Sequence, residues 1–293
     1  MAGIINWDDS IVCIKKIGLQ RPGICKSSIH HIKMYLRTRR EQVGNCLNYR
    51  YMTDKILIHI HVPKCAGTSI NRFLAKKFPE RCLTYSNPEV RSEFMKLTVQ
   101  ERDSRYSAVR GHLYYGVHSY FSRSCQYFSV LRDPIERVCS YFNYVHLVKE
   151  HHNHAFFKEN IRSIEDLSSE LVLSNDSLRV NMNNYACRAY SGLQCNSLSE
   201  WDRVSKSVDN LVNSEQLYLG KLDSVLNFLA EENVCTRDDV LPQENVTKKL
   251  VTEDRDFEFA TASNLSDACY GRLSALNSFD IRLYERYANN ATG

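Results

Sequence analysis

No stretch of this 293-residue chain approaches the roughly 18 consecutive apolar residues that cross a bilayer. Its start, Met-Ala-Gly-Ile-Ile-Asn-Trp-Asp-Asp, has no basic region leading into an apolar run. A membrane segment and a leader are therefore not expected, and the expected compartment is the cytoplasm. Cys-x-x-Cys pairs are missing, although eleven cysteines are present. Their odd count and scattered spacing argue against a zinc site and a disulfide framework, and reduced thiols fit the cytosol. Four Asn-x-Ser/Thr sequons, at Asn175, Asn245, Asn264 and Asn290, matter only outside that compartment. Neither sign of charge dominates: a formal net charge of +4 permits an anionic ligand without asking for nucleic acid. Internal repeats and Gly-, Pro- or Ser-rich linkers are also missing, so the expectation is one α/β domain over residues 51–293 behind an N-terminal extension of residues 1–50.

What is present is organised around Ile56 to Phe78. Ile56, Leu57, Ile58, Ile60 and Val62 form an apolar run of strand length, which Pro63 ends because it has no N–H for a ladder. From Thr68 the apolar positions Ile70, Phe73, Leu74 and Phe78 recur at helical spacing. The loop between carries Lys64, Cys65, Ala66, Gly67, Thr68 and Ser69. Gly67 offers backbone freedom, Thr68 and Ser69 put hydroxyls at a helix start that attracts anions, and Lys64 adds a point charge. The nucleotide-triphosphatase order Gly-x-x-x-x-Gly-Lys-[Ser/Thr] is not met, since Lys64 comes three residues before the glycine. An ordinary strand-to-helix turn with a surface lysine would contain the same elements.

Further strands are expected at Arg81–Tyr85, Tyr106–Arg110, Cys125–Leu131 and Gln216–Gly220, with helical stretches over Pro88–Arg105, the second half of Asp176–Gly192, the Leu222–Leu229 region and Leu265–Tyr287. Alternation of this kind predicts right-handed crossovers, a mainly parallel sheet flanked by helices in three layers, and ligands at the carboxyl ends of the strands. Lys64, His112 and Arg132 each follow a strand and fall on that edge. Residues 26–40 form a basic, near-helical stretch whose positive face, Lys33, Arg37, Arg39 and Arg40, suits either solvent or an acidic acceptor.

Leu131 to Tyr144 reads Leu-Arg-Asp-Pro-Ile-Glu-Arg-Val-Cys-Ser-Tyr-Phe-Asn-Tyr. Asp133 suits the N-cap, Pro134 the first helical position, and Glu136 a capping box. That leaves Arg132 at a strand tip and Ser140 about two turns into the helix, a plausible second phosphate site, or else a simple Arg132–Glu136 pair. Among the histidines, His59 and His61 alternate with apolar residues and read as structural, while His151, His152 and His154 lack the cysteine or carboxylate partners of a metal site. No base stands at readable spacing from Cys65, which argues against a thiol nucleophile.

Lysine-first loop and Arg-to-Ser spacing together resemble sulfotransferases that use 3′-phosphoadenosine 5′-phosphosulfate (PAPS), especially the branch of the heparan and dermatan 2-O-sulfotransferases and their bacterial relatives. His61 through Ser69 is similar to that family's phosphosulfate loop, and Leu131 through Phe142 to its 3′-phosphate motif. The resemblance implies that Lys64, Cys65, Ala66, Gly67, Thr68 and Ser69 hold the phosphosulfate. It assigns Arg132 and Ser140 to the 3′-phosphate, and it adds Asn245 and Lys248, from the similar Pro242–Lys248 stretch, to the cofactor site. Arg110-Gly111-His112 resembles the segment whose histidine is the family's base, and Asn184 through Gly192 resembles an acceptor segment with Arg188 kept but Ala186 and Cys187 in place of Gln and Thr. His118 and Arg188 are then candidates for the acceptor.

The expected reaction moves a sulfuryl group to a hydroxyl of a carbohydrate or small natural product and yields adenosine 3′,5′-bisphosphate. Lys64 would stabilise the leaving group, and His112, with an ordinary pKa of about 6.5, would take the proton. This chemistry calls for no metal. Two rival readings are a kinase-like phosphotransferase with Asp133 on magnesium and a non-catalytic module that holds an adenosine phosphate.

Overall fold

In the computed structural model the described residues are 54–192, 198–236, 239 and 257–288. The apolar run becomes β1 (Ile56–Ile60), buried along its whole length, and the change of period after it becomes α1 (Gly67–Lys77). Four more strands follow: β2 (Cys82–Thr84), β3 (Ala108–Gly111), β4 (Cys125–Val130) and β5 (Leu217–Gly220). They form one sheet in the order β2-β3-β1-β4-β5, every pair parallel. Strand ends differ from the sequence expectation by one or two residues because ladder pairing, rather than apolar content, ends them.

The expected helix over 88–105 is two helices, α2 (Pro88–Lys96) and α3 (Val99–Arg105). Thr98 breaks it by capping α3, with its hydroxyl on the Glu101 amide and the Glu101 carboxylate on the Thr98 amide. After β4 comes α4 (Pro134–Leu147), then the short α5 (His154–Asn160), α6 (Ser169–Ser174), α7 (Asp176–Met182) and α8 (Tyr185–Ser191). Next are α9 (Leu198–Asn213), α10 (Leu222–Glu231), α11 (Asp267–Leu276) and α12 (Ser278–Tyr287).

The fold is an α/β sandwich of three layers. On one face of the sheet His59 packs on Phe128, with ring centroids 5.1 Å apart, and Phe128 on Phe228 of α10 at 5.9 Å. On the other, Tyr190 of α8 donates to Ser129 Oγ at 3.0 Å. A second apolar core lies apart from the sheet, where Ile135, Val138, Phe142 and Val145 of α4 meet Phe157, Leu178, Met182, Cys269 and Leu273. Among the described residues no helix is long and apolar enough to cross a membrane. The basic stretch over 26–40 and the loop with Asn245 and Lys248 lie outside the described residues.

Strand order decides where a site can form. The chain leaves β1 toward the β3–β2 side and leaves β4 toward β5, so the connections part beyond the adjacent carboxyl ends of β1 and β4. Such a parting opens a crevice between neighbouring strand tips.

Candidate active site

Lys64 and Arg132, which follow β1 and β4, meet at this crevice. Arg132 Nη1 donates to the Lys64 carbonyl at 3.0 Å, so the arginine fastens the first loop to the second strand tip. The loop is curled by two left-handed residues, Lys64 at φ 69° and Ala66 at φ 57°. Gly67, expected to supply the unusual backbone, is not one of them. It is needed because a Cβ there would lie inside the His61 ring. Ala66 stands at the N-cap of α1 without a side-chain cap; the Ser69 amide turns back to the Ala66 carbonyl at 3.1 Å, and no side chain caps the Gly67 and Thr68 amides. Thr68 is exposed and Ser69 buried at this start.

The Lys64 ammonium lies over the Tyr144 ring, 4.0 Å from its centroid. Burial, then repulsion from Arg132, lowers the Lys64 pKa to about 8. Buried Cys65 has its thiol pushed up to about 11, which keeps it protonated and unreactive.

Asp133 caps α4 as its sequence predicts, with one carboxylate oxygen accepting from the Ile135 and Glu136 amides, each at 2.9 Å. The reciprocal half of the expected capping box does not form. Glu136 accepts instead from the Ala262 amide at 3.2 Å and pairs with Arg132 at 3.5 Å. That pair is partly exposed and long, worth at most about 1 kcal/mol, so a phosphate can displace it. Between Pro134 and His146, α4 is buried everywhere except at Glu136, Ser140 and Tyr144. These recur every four residues on one stripe, which runs from Arg132 at one end to the ring beneath Lys64 at the other.

His112 follows β3, the neighbour of β1 on its other side. Its Nδ1 lies 2.9 Å from the His61 carbonyl. A carbonyl only accepts, so Nδ1 carries the proton and Nε2 keeps its lone pair. Burial lowers the His112 pKa, partly offset by that bond, and the ring is neutral at pH 7. His118 has the opposite tautomer. The Tyr127 hydroxyl oxygen accepts from the Gly116 and His118 amides at 3.1 and 2.9 Å, so its own proton goes to His118 Nδ1 at 3.0 Å. His118 is thereby an N–H donor at Nε2, whereas His112 keeps an Nε2 that can accept a proton.

Arg188, expected near the acceptor, is buried and donates to the carbonyls of Arg179 and Val180 at 2.7 and 2.8 Å and to that of Asn183. Its guanidinium therefore serves the end of α7. Of the histidines after α4, His151 stacks on His152 with centroids 4.3 Å apart and packs edge-on to Tyr144, His152 meets Ser177, and His154 meets the Val145 carbonyl; among the described residues no group of three His, Cys, Asp or Glu side chains could hold a metal ion. Sequence reasoning passed over Tyr144 and Asn71. Tyr144 was legible as the next member of the Glu136–Ser140 series. Asn71, which bridges His59 and His61, had no signal beyond being polar in the second turn of an apolar-faced helix. No protein-family model matches the chain, and no curated protein matches its sequence.

Proposed function

We propose that the chain is a PAPS-dependent O-sulfotransferase that acts on a hydroxyl of a carbohydrate or small natural product. The observation that carries this reading is the convergence on one sheet edge of an open helix start with Lys64, an arginine displaceable from its carboxylate, and a histidine whose tautomer leaves Nε2 ready to accept a proton.

The residues fit the donor's two anionic ends. Uncapped α1 and Lys64 suit the phosphosulfate, and Arg132 with Ser140 on the α4 stripe suits the 3′-phosphate. Bound there, PAPS would supply a sulfuryl group on a phosphate that leaves readily. Lys64 then steadies negative charge on the departing oxygen, a contact worth roughly a hundredfold to a thousandfold in rate. His112 Nε2 takes the proton of the acceptor hydroxyl, worth roughly 10² to 10⁴. The His61 carbonyl holds the imidazolium that results.

A kinase-like reading needs Asp133 on magnesium, whereas one oxygen of the Asp133 carboxylate already accepts from two helix amides as an N-cap. Calorimetric titration with adenosine 3′,5′-bisphosphate and with ATP, each with and without magnesium, tests the proposal. Metal-independent binding of the bisphosphate, weakened in Arg132→Ala, is the expected result. Binding of ATP alone, and only with magnesium, would overturn it. Bisphosphate binding without turnover on any hydroxyl acceptor would leave a binding module.

A further inference from the structure

Phe128, His59, His61 and His112 form a continuous ring stack from the core to the crevice, with centroids 5.1, 5.9 and 4.2 Å apart and neighbouring planes within 23°. His61 is the member that touches both halves of the site. One side of its ring lies where a Gly67 side chain would be, against the donor loop, and the ring stacks on His112. Its carbonyl holds the His112 N–H.

What holds His61 is one amide. Asn71 Oδ1 lies 2.9 Å from His59 Nδ1, and Asn71 Nδ2 lies 3.1 Å from His61 Nδ1. The oxygen accepts only and the nitrogen donates only, so His59 carries its proton on Nδ1 and His61 carries its own on Nε2. A single side chain thus imposes opposite tautomers on two stacked rings and occupies Nδ1 of His61, the nitrogen on which that ring would gain charge.

We infer that Asn71 and the His61 ring it fixes are positioning residues that set the base His112 against the donor loop. The catalytic meaning of this wedge rests on the sulfotransferase reading, while its geometry stands without it. The groups that act on the stack are His59 on β1, Lys64 on the loop, Arg110 on β3 and His112 itself, with Asn71 facing it from α1. Burial first, then the neighbouring imidazoles His112 and His59 and the cations Lys64 and Arg110, push the His61 pKa down to about 2; burial, partly offset by the Asn71 hydrogen bond, with His112 and Arg110 behind it, lowers that of His59 to about 4. His61 therefore gives His112 an uncharged π face. When His112 takes a proton, its new charge meets that face instead of a second imidazolium.

The test is long-range ¹⁵N spectroscopy of the histidine rings across about pH 5 to 8, with and without Asn71→Asp. In the native chain His61 should stay neutral with its proton on Nε2, and His112 should carry its proton on Nδ1 when neutral. A carboxylate at position 71 accepts from both rings, so His61 should move its proton to Nδ1 or become charged, and the His112 midpoint should move by about half a pH unit or more. The acid limb of kcat/KM should follow that midpoint, with kcat down about tenfold or more and the donor KM within about twofold. A second pair covers misfolding of Asn71→Asp. His61→Phe keeps the ring and should keep the His112 midpoint near the native one, whereas His61→Ala should move it.

Free titration of native His61, or a His112 midpoint indifferent to Asn71→Asp, or identical behaviour of His61→Phe and His61→Ala, would overturn the inference. The spectra need neither donor nor turnover. An inactive chain with these tautomers would lose the proposed function alone, and an active chain with a freely titrating His61 would lose this inference alone.

Discussion

Two helices begin side by side at the same sheet edge, and they begin in opposite ways. The start of α4 is closed: Asp133 occupies two of its amides, and Pro134 removes the need for a third. The start of α1 is open, with a left-handed alanine where a cap would stand. A missing cap costs about 1 kcal/mol, and each left-handed non-glycine residue costs roughly 1–3 kcal/mol more. Under the proposed function, a fold that tolerates these costs at one start and avoids them at the other keeps the first for the anion of the donor. At the closed start the same proposal gives the anion to a side chain, Arg132, which a weak pair with Glu136 holds in place.

The contrast can be broken most forcefully at Lys64. Lys64→Ala should lower kcat roughly a hundredfold to a thousandfold, read in a steady-state sulfuryl-transfer assay. The same lysine sets the alkaline limb of the pH profile. Activity needs His112 neutral and Lys64 charged, so kcat/KM should fall as pH drops through the lowered His112 midpoint, below 6.5, and fall again as pH rises through about 8. A profile flat from pH 7 to 9 would remove Lys64 from the reaction.

Closing the open start comes next. Ala66→Asp places a carboxylate where the anion belongs, and bisphosphate affinity should fall about tenfold to a hundredfold by calorimetry while the melting temperature holds or rises. Opening the closed start should do the reverse. Asp133→Ala should cost about 1 kcal/mol in denaturant unfolding and leave bisphosphate affinity within about twofold, whereas a magnesium ligand would be lost with it. Smallest of all, Ser140→Ala removes one hydroxyl from the stripe and should weaken the bisphosphate by about 1 kcal/mol, near fivefold.

Legibility followed the range of the interaction. The start of α4 was readable because Asp133, Pro134 and the amides they serve lie within four residues of one another. The strand-loop-helix at 56–78 was readable from its change of period. Gly67 was singled out but for the wrong cause, since the need comes from a ring six residues upstream that folds back over it. Glu136 matched a local rule and left it for Arg132 and the Ala262 amide, a partner 126 residues away. Arg188 carried a charge that resembled recognition and serves three carbonyls. The His112 and His118 tautomers depend on a carbonyl just past β1 and on a tyrosine of β4, which no spacing in the chain encodes.

The open stripe of α4 has a mechanical consequence. The helix is a beam tied at one end to the sheet edge, through Arg132 on the Lys64 carbonyl, and clamped along its length in the second core, through Val138, Phe142 and Val145. A ligand that bridges Arg132, Ser140 and the Lys64–Tyr144 contact loads that beam along its only accessible side. Tightening there must be felt by residues that never meet the ligand, and slowed amide exchange around Phe157 and Leu273 is where that stiffening would surface.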